Sequence, residues 1–199
     1  MKALPTLTVI IGSTRPGRVG AAIGQWFAGR ARRYGSFDVE VADLATVNLP
    51  MLDESKHPRL RQYVHQHTWD WSALIDRADA VVFVTPEYNH GYPATVKNAI
   101  DFLHHEWTDK PVCFVSYGGV SAGTRSVQQL KAVVTAVGML PVVGMVNIPF
   151  VTQFLDDNGG FEANNITDQA AETMLDELLR FHRFLRPAGV EPVPQFDGR

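Results

Sequence analysis

The stretch LTVIIGSTRPGRVG, Leu7 to Gly20, changes character at Gly12. Up to Ile11 it is an apolar, β-branched run of the kind found in a strand buried on both faces. From Val19 to Tyr34 the apolar groups Ile23, Trp26, Phe27 and Ala31 fall at helical spacing. Between strand and helix, Gly12–Arg18 holds two arginines, two glycines, a serine, a threonine and a proline. A helix start presents unpaired N–H groups with partial positive charge. Gly12 and Gly17 let backbone approach an anion, Ser13 and Thr14 offer hydroxyls, and Arg15 and Arg18 offer charge-assisted bonds.

Two nucleotide patterns fail here. The ATP-type loop needs lysine and then Ser or Thr, where this chain has Arg18 and Val19. The dinucleotide loop needs glycine where Thr14 stands. A terminal monophosphate fits better, because two arginines and one helix end can satisfy a dianion without a metal.

The remainder of the chain repeats the strand-then-helix alternation. FDVEVADL reads as a second strand, and a long helix is expected between Pro58 and Arg77, with Leu60, Val64, Trp71, Leu74 and Ile75 on or near its apolar face. DAVVFVTPEYN, KPVCFVSYGG and LPVVGMVNIP read as strands three to five. YPATVKNAIDFL, Ser121–Val137 and Thr167–Leu185 read as helices, the second with Ser121 as N-cap and closed by Gly138. Asp168 suits the positive end of the last helix; Arg180, Arg183 and Arg186 suit its negative end. Five alternations argue for one doubly wound α/β domain with a parallel sheet over residues 1–199, ending in a Pro/Gly-rich tail from about 187.

Ligands of such sheets bind beyond the carboxyl ends of the strands, so Gly12–Arg18, Thr85–Ala94 and Ser116–Arg125 should share one edge. In the second loop, amides around Glu87, Tyr88 and Asn89 could face the polar edge of a planar ring, with Tyr88 and Tyr92 covering a ring or a neighbouring subunit. Asn98 and Asp101 can be read as merely tying down their helix, Glu87 as solvated and His90 as a polar loop residue. The third loop contains Gly119-Val120-Ser121-Ala122-Gly123, which matches the G-x-S-x-G elbow of hydrolases. That elbow places serine at the strand's end, whereas Tyr117, Gly118 and Gly119 intervene here. Hydrolysis would also leave the other two loops unexplained.

Composition sets outer bounds. The chain has 199 residues, 45% of them hydrophobic, and a net charge of -3, which gives no general attraction to nucleic acid or anionic membranes. Cys113, the sole cysteine, lies in an apolar run and reads as a buried thiol. His65 and His67, two apart, should point to different helix faces, and the adjacent His104 and His105 should diverge, so no metal site is expected. No apolar run approaches a membrane span and no signal-peptide pattern opens the chain, so a cytoplasmic protein is expected.

GSTRPGR, PEYNHGYPATVKNAID and SYGGVSAGTR together resemble the NADPH-dependent FMN reductase family, over roughly Thr8 to Pro149. The resemblance implies a flavodoxin-like fold with strand order 2-1-3-4-5, helices on both faces and noncovalent FMN. Ser13, Arg15, Arg18, Val19 and Gly20 match the family's phosphate segment. Pro86, Glu87, Tyr88 and Asn89 match the segment along the isoalloxazine ring, and Ser116, Tyr117, Gly118 and Gly119 match the third flavin-side loop. His90 and Gly91 depart from many relatives, and no catalytic side chain is required. The implied reaction takes a hydride from NADPH or NADH and passes electrons to a small acceptor such as a quinone, flavin, azo compound or metal oxyanion. The alternatives are a flavodoxin-like electron carrier and a flavin-binding regulatory protein without NAD(P)H turnover. A homodimer or homotetramer is expected, with Tyr92, Phe102 and Trp107 as exposed aromatics at a two-fold interface.

Overall fold

The computed structural model describes residues 3–185; the proline- and glycine-rich tail and Arg186 lie outside the described residues. Five strands, β1 (Thr6–Ile11), β2 (Asp38–Asp43), β3 (Ala80–Pro86), β4 (Pro111–Tyr117) and β5 (Leu140–Ile148), form one sheet in the order β2-β1-β3-β4-β5. All four pairings are parallel. This is the flavodoxin-like order that the resemblance implied. The crossovers are α1 (Gly20–Tyr34), a short α2 (Leu44–Val47), α3 (Gln66–Arg77), α4 (Ala94–Asp101) and α5 (Thr124–Ala136); α6 (Asn165–Leu185) follows β5.

Burial explains the order. Every residue of β3 and β4 is buried, as their unbroken apolar runs require of central strands, while β2 and β5 at the edges are only partly buried. Leu7, Val9, Val82, Val84 and Val115 pack with Ile23 and Phe27 of α1 and Met174 and Leu178 of α6. On the opposite face Ile10, Val81, Phe83 and Phe114 pack with Trp71 and Ile75 of α3, Ile100 of α4 and Leu130 of α5. Cys113 is fully buried, and burial pushes its thiol well above the ordinary range, so it is inert.

Several local expectations need correction. The segment from Pro58 to Arg77 is not one helix: a 3-10 turn covers Pro58–Leu60, Arg61 has φ 48°, and α3 begins only at Gln66. Glu54 accepts bonds from the Val64 and His65 N–H groups, and the Tyr63 hydroxyl reaches the buried Glu106 carboxylate at 2.8 Å. These distant partners outbid continued helix, and Leu60 and Val64 are left exposed.

Because His65 precedes the helix, its ring does not sit on another face from His67. The two rings stack at 5.1 Å, and both face the Asp53 carboxylate. His104 and His105 likewise do not diverge; their ring centroids are 5.0 Å apart. Among the described residues no group of three or more His, Cys, Asp or Glu side chains could hold a metal ion.

The aromatics expected at an interface belong to the core: Phe102 and Trp107 are fully buried, and Tyr92 packs partly buried against the same cluster. Among the described residues no helix is long and apolar enough to cross a membrane.

Candidate flavin site

Parallel register brings the three loops to one sheet edge. Ile11 pairs with both Asp43 and Val84, Pro86 pairs with Tyr117, and Tyr117 pairs with Ile148. The loops after β1, β3 and β4 therefore leave from one level.

The first loop extends β1 by one bond, Gly12 N–H to Val84 O at 2.9 Å, and Thr95 of α4 donates to the Gly12 carbonyl at 2.7 Å. Arg15–Arg18 then closes a turn through Arg18 N–H to Arg15 O, with Gly17 at φ 69° after Pro16, a placement that suits a Pro-Gly pair. The two arginines part company here. Arg18 donates twice to the Asp43 carboxylate, at 2.9 and 2.6 Å, and once to the Ser13 carbonyl at 2.8 Å. Its fork braces the loop from outside. Arg15 is exposed, and no hydrogen bond or ion pair ties its side chain to the described residues.

Beneath this turn the N-terminus of α1 is open. Val19 occupies the cap position without a side-chain bond, and no acidic residue lies in the first turn. Gly20 is needed for close approach: a Cβ there would lie 2.3 Å from the Tyr117 hydroxyl and 3.5 Å from Ser13 Cβ. Ser13 is itself buried, and its hydroxyl shares a 2.7 Å bond with the Tyr88 hydroxyl. The Tyr117 hydroxyl is buried and has no hydrogen-bond partner. Burial pushes that phenol far up, despite the opposing pull of neighbouring Ser13, so it stays protonated at neutral pH.

The second loop is a tight hairpin. Tyr88 and Gly91 exchange both backbone bonds, at 2.8 and 3.0 Å, with Asn89 and His90 at φ 50° and 69°. The Tyr88 amide is thus committed within the loop, and Asn89 and His90 form its exposed tip. Glu87 is not solvated. Its side chain is 6% exposed, accepting from Ser121 Oγ at 3.0 Å, Arg125 Nε at 2.5 Å and Arg125 N–H at 3.3 Å. Burial alone would raise this carboxyl, but the bonds from Arg125 and Ser121 outweigh it and hold it below the usual carboxylate range. In α4, Asn98 ties the helix to the β2–α3 connection through Pro50 and Leu52, and Asp101 pairs with Lys97.

In the third loop Ser116 is buried and donates to Asn147 at 2.9 Å. Gly118 and Gly119 accept from Val151 and Phe150, which fastens this loop to the segment after β5. Helix α5 starts at Thr124, so Ser121 is not its N-cap. The reason is Gly123: at φ 78° its Cβ position lies 2.9 Å from the Tyr117 N and O atoms, so the chain must finish this contact before it can coil. The second glycine of the apparent hydrolase motif therefore serves packing. The serine hydroxyl donates to Glu87 and accepts from Arg125 Nη2 at 3.0 Å, with no imidazole among these partners.

An open helix end, the unpaired Arg15, the buried Ser13 and the orphaned Tyr117 hydroxyl converge on one place. This donor set fits a phosphate, so the residues present suit the phosphate end of FMN. A model of the NADPH-dependent FMN reductase family matches residues 5–153.

The chain belongs to the NADPH-dependent FMN reductase family.

It is therefore an oxidoreductase that works with FMN and NAD(P)H. It is 44% identical over 135 residues to an NAD(P)H-dependent FMN reductase of Schizosaccharomyces pombe, covering 67% of each chain. It is 26% identical to an FMN-dependent NADPH-azoreductase of Staphylococcus saprophyticus, covering 87% of this chain and 93% of that one. Among solved structures, the NAD(P)H:acceptor flavoenzyme FerB of Paracoccus denitrificans superposes with a TM-score of 0.73 at 21% identity, over 91% of this chain and 98% of that one. That likeness speaks for the fold. Sequence reading of the family member missed Asp43, Thr95, Asn147 and Arg125 as supports of the loops.

Proposed function

We propose that this reductase, one flavodoxin-like domain, holds FMN with the three loops at the carboxyl edge of its sheet. It oxidises NADPH or NADH there and delivers the electrons to a small acceptor: a quinone, a free flavin, an azo compound or a metal oxyanion. The observation that carries the reading is the convergence of Ser13, Arg15, Tyr117 and the uncapped start of α1 at Gly20. FMN supplies, when bound, a ring that accepts a hydride and gives up electrons again.

The protein's own part is to bind, orient and shield. The first loop, from Ser13 through Arg15 to Val19 and Gly20, takes the phosphate, while Arg18 stiffens it through Asp43. Pro86, Glu87, Tyr88 and Asn89 line one edge of the ring and Ser116, Gly118 and Gly119 another. Val120 and Phe150, both exposed at the rim of the third loop, give a flat acceptor an apolar approach. Turnover is favoured over a carrier role by the reductase and oxidoreductase relatives. An anaerobic absorbance spectrum tests the reading: the FMN-loaded protein should bleach with NADPH and recover its colour with a quinone. Protein that folds but takes up no FMN would overturn it.

The same reading includes a cytoplasmic homodimer, or a pair of dimers. The candidate surface moves from the buried Phe102 and Trp107 to Met51, Leu60, Val64 and Trp69, which are exposed in or near the segment before α3. Light scattering of Val64→Glu should then report a smaller particle than the parent protein.

A further inference from the structure

Folded chains seldom enclose a hydroxyl that bonds nothing, because the group loses its water and gains no partner. Tyr117 is 4% exposed, and its hydroxyl makes no hydrogen bond. Phenylalanine would fill the same space without that cost. The phenol is the last side chain of β4 and packs in the α1–α6 layer, so it passes beneath the first loop rather than out toward the mouth. Its oxygen ends where a Cβ at position 20 would lie only 2.3 Å away, at the first residue of α1. The surroundings are donors: an uncapped helix end without acidic residues in its first turn, and the unpaired Arg15 on the loop above. The neighbouring Ser13 hydroxyl bonds Tyr88, and its position meets the geometry of no hydrogen bond with the phenol oxygen. A protonated phenol at such a point is a donor waiting for an anion.

We propose that the Tyr117 hydroxyl is a ligand of the FMN phosphate, donated from below the first loop by the third, and that it makes the site prefer FMN to riboflavin. The assignment rests on the reading that this site takes FMN, and it moves Tyr117 from the ring side to the phosphate side. Gly20 is part of the same device, since any larger residue would push the phenol away.

The test is Tyr117→Phe, titrated separately with FMN and with riboflavin, which has the same ring and no phosphate. The FMN Kd should rise about tenfold to a hundredfold, the range of a charge-assisted bond. The riboflavin Kd should stay within about twofold of the parent value, as a substitution that leaves the ring contacts intact requires. FMN-free Tyr117→Phe should melt no lower than the FMN-free parent, because it loses an unsatisfied group and no bond. Gly20→Ala should show the same FMN-selective loss by displacing the phenol. An FMN affinity unchanged in Tyr117→Phe, equal weakening of both flavins, or a marked drop in the melting temperature of the free variant would overturn the assignment. A parent protein that binds no FMN would instead overturn the reading of the site itself.

Discussion

Removal of Arg125 should loosen the second loop from the third. Glu87 sits with its carboxylate covered by Ser121 and Arg125, and Arg125 supplies both a side-chain bond at 2.5 Å and a backbone bond at 3.3 Å. In Arg125→Ala the backbone N–H and the serine hydroxyl remain, but the covered charge loses its counter-ion. Breaking a fully buried pair costs about 3–5 kcal/mol, and breaking an exposed one about 0–1. Glu87 is 6% exposed but Arg125 is 47% exposed, so solvent lies one side chain away and screens the pair. A loss of about 2 kcal/mol follows, which lowers Tm by about 4–8 °C in a chain of this size. Glu87→Gln keeps an acceptor oxygen and removes the charge, so it should cost about 1 kcal/mol. The double variant should cost less than the sum, because each change removes the same contact.

The effect must also depend on pH. The folded Glu87 carboxyl lies below its unfolded value of about 4.3, so the unfolded chain binds the proton first. The contribution is whole above that value and disappears as pH falls through the depressed folded one. Thermal melts of the four proteins at neutral pH and again in acid read the difference directly. Additive losses at neutral pH, or an Arg125→Ala deficit that persists undiminished in strong acid, would refute the clamp.

Other outcomes follow from the same geometry. Arg15→Ala should weaken FMN binding about tenfold to a hundredfold, since it removes one charge-assisted bond and no structural contact; flavin fluorescence titration measures it. Ser121→Ala should keep NAD(P)H oxidation and lose about 1 kcal/mol of stability with its bond to Glu87, whereas wild-type esterase activity that vanished with it would revive the hydrolase reading. Phe102→Ala should cost about 3–5 kcal/mol in a denaturant melt, because the ring is fully buried in the core and is not an interface residue.

What could be read from the chain, and what could not, divides along one physical line. β3 and β4 were legible because a strand covered on both faces needs an apolar residue at nearly every position, and both are buried throughout. The three loops were legible because glycine, proline and arginine cluster where those strands end. The partners of charged and hydroxyl groups were not, because sheet register decides them. Arg18 is a phosphate candidate by composition, yet the pairing of Ile11 with Asp43 brings a carboxylate from 25 residues away into its fork. Ser121 has the composition of a cap, yet Gly123 must first pass Tyr117 at contact distance, and the hydroxyl is left to Glu87 instead. Leu60 and Val64 follow helical spacing, yet between them the Tyr63 hydroxyl is drawn inward by Glu106, 43 residues on, and the helix starts late. In each case a local signal competes with a long-range electrostatic partner, and the partner prevails because a covered charge or hydroxyl costs more than a turn of helix does. The same argument isolates Tyr117. It is the one hydroxyl of the three loops that register has enclosed without supplying a partner from the chain, so its partner is to be sought in what the loops hold.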